Sequence, residues 1–244
     1  MADRSISLIM PAFNEEATIE FSVSSACEKL RQYGFDYEIL IFDDDSADQT
    51  GKIADRLALE DKKIKVFHNA RNMNLGFNFA RGIDMASKEY TGLLPCHGQT
   101  AIESFDNLLP ALLKADVVVT YISNPKVRPL TRRIISEINV ILVNLIFGLR
   151  LKYYHLNFYR TEILKKIPTS TESYALMVEL LVHAIKSGAS YIEIPILLKK
   201  REFGKSKALR PKNIINILKT YACLFWRIKV LREGIDLGKE RRNE

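Results

Sequence analysis

Apolar positions along the chain follow two alternating rhythms. Runs such as SISLIMPAF and YEILIFDDDS are apolar almost throughout and stop at turn-forming or acidic residues, as strands buried on both faces do. Between them, EEATIEFSVSSACEKLRQYG sets Ile19, Val23, Ala26, Cys27 and Leu30 at helical spacing and closes on Gly34, which predicts a crossover helix. The alternation continues through helix QTGKIADRLALED, strand IKVFHN, helix NFARGIDMASKE, strand YTGLLP, helix AIESFDNLLPALLKA and strand DVVVTYI. It predicts an α/β fold with a mainly parallel, Rossmann-like sheet flanked by helices, whose ligands lie beyond the strand C-termini.

After Ser123 the rhythm changes to one long apolar helix, PLTRRIISEINVILVNLIFGL, then a helix over ESYALMVELLVHAIKSGA and a strand over YIEIPILLKK. The segment PKNIINILKTYACLFWRIKVLREG is amphipathic, with Ile214, Leu218, Tyr221, Phe225 and Ile228 along one face. We divide the chain into a domain over 1–210 and a basic, amphipathic extension over 211–244. The longest charge-free apolar stretch, Ile138–Leu149, has 12 residues, short of the roughly 18 that a membrane span needs. The start of the chain lacks the pattern of a signal peptide.

Composition adds one asymmetry. Net charge is +7, but Lys199 onward carries 14 Lys or Arg against 5 Asp or Glu, so the excess is C-terminal and suits phosphate groups or anionic lipid. A nucleic-acid module is not expected, because basic charge comes without aromatic interleaving or a known module pattern. Three scattered cysteines form neither a disulfide framework nor a CxxC zinc module.

Two strand ends carry the densest chemistry. FDDDSADQT puts three carboxylates together, which repel one another and are expected to face solvent, a cation, or donors such as a ribose and a base; helix capping accounts for one or two of them. PAFNEE ends the first strand, where Asn14 and Glu15 become neighbours of that cluster.

In order, SLIMPAFNEEATI, EILIFDDDSADQT, NLGFNFARGID and IPILLKKREFGKSK resemble glycosyltransferase family 2, particularly its dolichyl-phosphate mannose synthase-like branch, over about Ser7 to Lys207. The resemblance implies a GT-A fold with C-terminal amphipathic helices, a GDP- or UDP-linked sugar donor, and inverting transfer to a polyprenyl phosphate. It also implies peripheral attachment to the cytoplasmic face of a membrane, directly or through a separate membrane subunit. By motif position, the donor contacts fall on Pro11, Phe13, Glu15, Phe42 and Asp44, and on Cys96, His97 and Gln99. Arg201 and Lys207 match a basic loop over the donor diphosphate, where fixed cations stabilise the leaving group. Arg132 and Ser136 match the pair that holds the acceptor phosphate, and their spacing puts both on one helix face.

The chain departs from the family at LLPCHGQT. There the family carries Asp-x-Asp for Mg²⁺ or Mn²⁺, whereas here Pro95 and His97 take the two positions and Cys96 lies between them. Neighbours in a strand point opposite ways, which disfavours a Cys96–His97 nucleophile pair. Three readings follow: a weakened metal site on His97 and Gln99, a metal-independent transferase that uses cationic side chains, or a glycosyltransferase-like protein that binds nucleotide or lipid phosphate without turnover. The acceptor phosphate is already anionic and needs no strong base, which favours retained catalysis. Two further differences are Ile122 near the place of a family Arg, and LKYYHLN before FYRTEIL, which lacks the usual Asp and small residues.

Overall fold

Strand β1 (Ser5–Ala12) is buried at every residue, which requires cover on both faces. In the computed structural model, which describes residues 4–200 and 211–231 (backbone alone at 211–214), that cover comes from helices on either side of a seven-stranded sheet. In chain order the elements begin with α1 (Ile19–Gln32), β2 (Asp36–Asp43), α2 (Thr50–Glu60), β3 (Ile64–His68), α3 (Asn74–Met85) and β4 (Tyr90–Leu93). They continue with α4 (Phe105–Leu112), β5 (Val117–Ile122), α5 (Leu130–Phe147), β6 (Asn157–Arg160), α6 (Thr161–Lys166), α7 (Leu176–Lys186) and β7 (Tyr191–Ile196). The last is α8 (Pro211–Phe225), which widens into a π-helical turn over Trp226–Val230.

The sheet order is β3-β2-β1-β4-β6-β5-β7, parallel except for β6, which runs against both β4 and β5. Strand β6 escaped the sequence pattern because it has only four residues between longer apolar segments. Its Phe158 lies directly across from Gly92, where a Cβ would come within 2.0 Å of the ring. At the far edge, Ser190 and Ile196 give their carbonyls to Val117 and Ser123 beside them. Pro195 therefore turns its nitrogen outward, the one orientation in which a strand tolerates a missing N–H.

The long helix α5 buries only Val140, Val143 and Phe147. Ile134, Ile135, Ile138, Ile141, Leu142 and Leu145 remain exposed, Leu145 to 75%. The single apolar face read along the C-terminal helix splits in two. Tyr221 and Leu224 enter a small core with Val143, Phe147, Val178 and Val182, and Ile228 packs against it, whereas Leu218 and Phe225 stay in solvent. Ile214 lies outside the described side chains. Arg227 ties this end of the chain to α7 through the fully buried Glu179, at 3.1 Å.

At the end of β3, the protonated His68 ring donates to Asp43 Oδ2 at 2.9 Å and to Asp55 Oδ1 at 3.0 Å. Its pKa is raised, first by the bond to Asp43 and then by that to Asp55. The stabilisation is full below the unfolded value of about 6.5 and is lost as pH rises through the higher folded value. His68→Gln should remove that loss, so urea midpoints between pH 6 and 9 should be flatter than for the parent.

Candidate active site

The parallel register sets Pro11 opposite Phe42 and Ala12 opposite Asp43, so the turns after β1 and β2 leave the sheet side by side. Asn14, at φ 55°, closes the first turn onto the second: its N–H donates to Ser46 Oγ at 3.0 Å and its Oδ1 accepts from Ala47 N–H at 2.8 Å. Glu15 N–H reaches Thr50 Oγ1 at 2.8 Å. The neighbourhood expected for PAFNEE and FDDDSADQT is thus built by backbone N–H groups that donate to side-chain oxygens of the facing segment.

The three carboxylates are spent differently from the sequence expectation. Asp43 is buried against His68, and only Asp45 faces solvent. Asp44 is 4% exposed. Its Oδ1 accepts from Asn69 Nδ2 and Met73 N–H, each at 2.8 Å, and its Oδ2 accepts from Asn74 N–H at 3.0 Å. These bonds cap the start of α3 and leave one Oδ2 lone pair for a further donor.

These turns form one wall of a cavity of about 430 Å³, a size that suits a small-molecule ligand. Pro11, Phe13, Glu15, Asp44, His97, Gln99 and Arg132 all line it. Asn72, Asn74 and Asn78 line the same end as Asp44, and His155, Leu156 and Tyr174 complete the wall. Ser136 follows Arg132 by one turn of α5 but is not part of the lining. Arg201 and Lys207 lie outside the described residues. The chain nevertheless enters its basic stretch at the cavity rim, because Lys199 N–H donates to the Gln99 carbonyl at 2.8 Å and Thr100 bridges Leu198.

Two assigned residues do not reach the cavity. Phe42 is fully buried in the core, stacked on Phe67 at 5.1 Å with Arg81 over the ring. Cys96 is also fully buried, with Sγ 3.8 Å from the Met10 carbonyl, and burial pushes its thiol pKa up, away from nucleophile chemistry. Its own carbonyl accepts from Thr18 and Ser22, which locks the loop so that Cys96 turns inward while His97 turns to the cavity. His155 was the functional candidate that sequence reading missed, since a lone His in LKYYHLN carries no spacing signal.

The residues present do not fit a hard divalent ion. His97 Nδ1 accepts the Gln99 N–H at 3.3 Å, so its proton sits on Nε2 and makes that atom a donor rather than a ligand. Asp44 has three of its acceptor positions filled, and among the described residues no three His, Cys, Asp or Glu side chains converge as a metal site.

The profile of glycosyl transferase family 2 matches residues 7–177, which together with the fold makes the chain a nucleotide-sugar glycosyltransferase by class. The chain belongs to that family, and within it stands with the dolichyl-phosphate mannose synthase-like branch. It is 30% identical to polyprenol monophosphomannose synthase of Mycolicibacterium smegmatis over 217 residues, which cover 82% of this chain and 79% of that protein. It is 26% identical to undecaprenyl-phosphate mannosyltransferase of Micrococcus luteus, over 82% of this chain and 85% of that one. Among solved structures, glucosyl-3-phosphoglycerate synthase from Mycobacterium tuberculosis with Mn²⁺, UDP and phosphoglyceric acid shares the GT-A fold at a TM-score of 0.66. That match has 18% identity and covers 91% of this chain and 78% of that chain.

Proposed function

We propose that this protein transfers a hexose, mannose by the names of its relatives, from a nucleoside diphosphate to a polyprenyl phosphate at a membrane surface, with inversion. The observation that carries the reading is continuity: Arg132 lines the cavity from the first turn of α5, and the same helix runs on as an exposed apolar face. A phosphate held at that turn would place its lipid chain along Ile134, Ile138 and Ile141, with Leu218, Phe225 and Trp226 of the C-terminal helix as a second apolar patch. Among the described residues no helix is long and apolar enough to cross a membrane.

In this reading the base and ribose occupy the Asp44 end of the cavity, and Asp44 contributes its remaining lone pair. The acceptor phosphate, already anionic, attacks the anomeric carbon while the bond to the nucleoside diphosphate breaks. No carboxylate base is needed, and the rate rests on positioning and on cations beside the leaving group. In this reading the basic stretch that begins at Lys199, beside Gln99, supplies Arg201 and Lys207 for that role.

A panel of radiolabelled GDP-mannose, UDP-glucose and UDP-N-acetylglucosamine, incubated with polyprenyl phosphate in EDTA or Mn²⁺, tests the reading. Labelled lipid from one donor is the expected result. Nucleotide binding without labelled lipid from any donor would overturn the transferase and leave a binding protein.

A further inference from the structure

We infer that His155, with Arg128 at its side, forms a phosphate-binding subsite in which organic cations and N–H donors stand where a divalent ion would otherwise act. The inference deepens the proposed transferase and rests on its phosphate chemistry.

The subsite is built rather than incidental. The backbone at 155–156 is pinned to β5: His155 N–H donates to the Thr120 carbonyl at 2.9 Å, and Leu156 N–H to Thr120 Oγ1 at 3.0 Å. The preceding residues are clamped to α5, with Asn144 exchanging two bonds with Leu151 and Arg128 Nη1 holding Tyr153 OH at 3.0 Å. This fixes His155 on the cavity wall beside Arg132 and His97. Among the described residues its Nε2, which is enclosed, meets no hydrogen-bond partner, and the same holds for Arg128 Nε. Polar atoms enclosed without a partner are costly unless a ligand meets them.

The charge around them selects an anion. Arg132 and Arg133 sit in the first turn of α5, an 18-residue helix with no acidic residue in that turn, where the helix dipole is itself positive. Burial first, then Arg128, His97 and Arg132, hold the His155 pKa well below its ordinary value, so the imidazole is neutral and has one ring N–H to donate. His97 presents a donor nitrogen toward the same space, as its bond from Gln99 N–H requires. Glu15 and Asp44 line the other side of the cavity, so the cationic groups gather at the His155 side. A phosphate oxyanion there would give the His155 ring an acceptor and would lie in the field of Arg128 and Arg132.

The phosphate could belong to the nucleoside diphosphate or to the prenyl acceptor, and calorimetry separates the two. UDP, GDP, inorganic pyrophosphate and farnesyl phosphate are titrated into the parent protein and His155→Ala, in EDTA and again in Mn²⁺. We expect parent binding in EDTA, about tenfold weaker binding in His155→Ala for whichever ligand occupies the subsite, and partial recovery in His155→Gln, which keeps an N–H donor. Thermal melting confirms that the variants fold. Independently of any variant, the ¹⁵N imidazole resonance of His155 in the parent should shift when that ligand is added in EDTA. Unchanged affinity in His155→Ala, an unmoved resonance at saturation, or parent binding that requires Mn²⁺ would overturn the subsite and leave the transferase standing. Absence of binding by any ligand in any condition would overturn both.

Discussion

Arg132→Ala is expected to lower kcat/KM for polyprenyl phosphate by about 100-fold, the loss typical when a charged donor at a reacting oxyanion is removed. The side chain is half-buried at the cavity and stands in the turn from which the apolar face of α5 begins. Alanine would leave the acceptor phosphate without its planar, two-pronged partner. Arg132→Lys keeps the charge but loses the fork, and an intermediate loss of about tenfold is expected. Nucleotide affinity should fall far less, because the Asp44 end of the cavity is untouched. Lipid labelling and nucleotide calorimetry on the same preparation read both effects. Equal losses in the two measurements would mean that Arg132 serves the donor and not the lipid.

Gly76→Ala is expected to destabilise the protein by about 3 kcal/mol, at the upper end of the overpacking range, although alanine is the better helix former by about 1 kcal/mol. Gly76 is buried in the first turn of α3. A Cβ there would lie 2.2 Å from the Ser173 carbonyl oxygen and 2.3 Å from that of Glu172. Backbone cannot rotate aside as a side-chain tip can, so α3 and the 172–174 segment must separate. Asn72, Asn74 and Tyr174, which line the cavity, belong to the parts that would move. A lower urea midpoint should therefore come with weaker nucleotide binding. A stable variant with full affinity would show that this contact is looser than the geometry requires.

The fold was legible because its central strands β1, β2 and β4 are doubly buried and its crossover helices are one-sided. Ile19, Val23, Ala26, Cys27 and Leu30, for instance, are the buried positions of α1. Strand β6 was not legible, since four residues carry no usable period and its placement depends on Gly92 admitting the Phe158 ring. At the cavity, adjacency of the PAFNEE and DDDS turns followed from strand order. The fate of each carboxylate did not follow, because Asp43 and Asp44 meet their partners through the distant segments His68 and Asn69–Asn74. Phe42 and Cys96 show the same limit: a motif position names a residue, but the pleat of β2 decides which way Phe42 points and the bonds of Thr18 and Ser22 to the loop decide it for Cys96. His155 acquires meaning only when Thr120 and α5 bring it beside His97.

The outward nitrogen of Pro195 has a consequence for behaviour in solution. Strand β7 is one of the two edges of the sheet, β3 being the other, and an edge is where a partly unfolded neighbour could add a strand and seed aggregation. An added strand would find no N–H at Pro195, and the next outward position, Glu193, already holds Lys152 N–H at 2.7 Å through its carboxylate. This edge is therefore interrupted by one missing donor and carries one charged side chain, two features that disfavour an added strand. In a protein with so much exposed apolar surface on α5, the β7 edge adds less to that hazard.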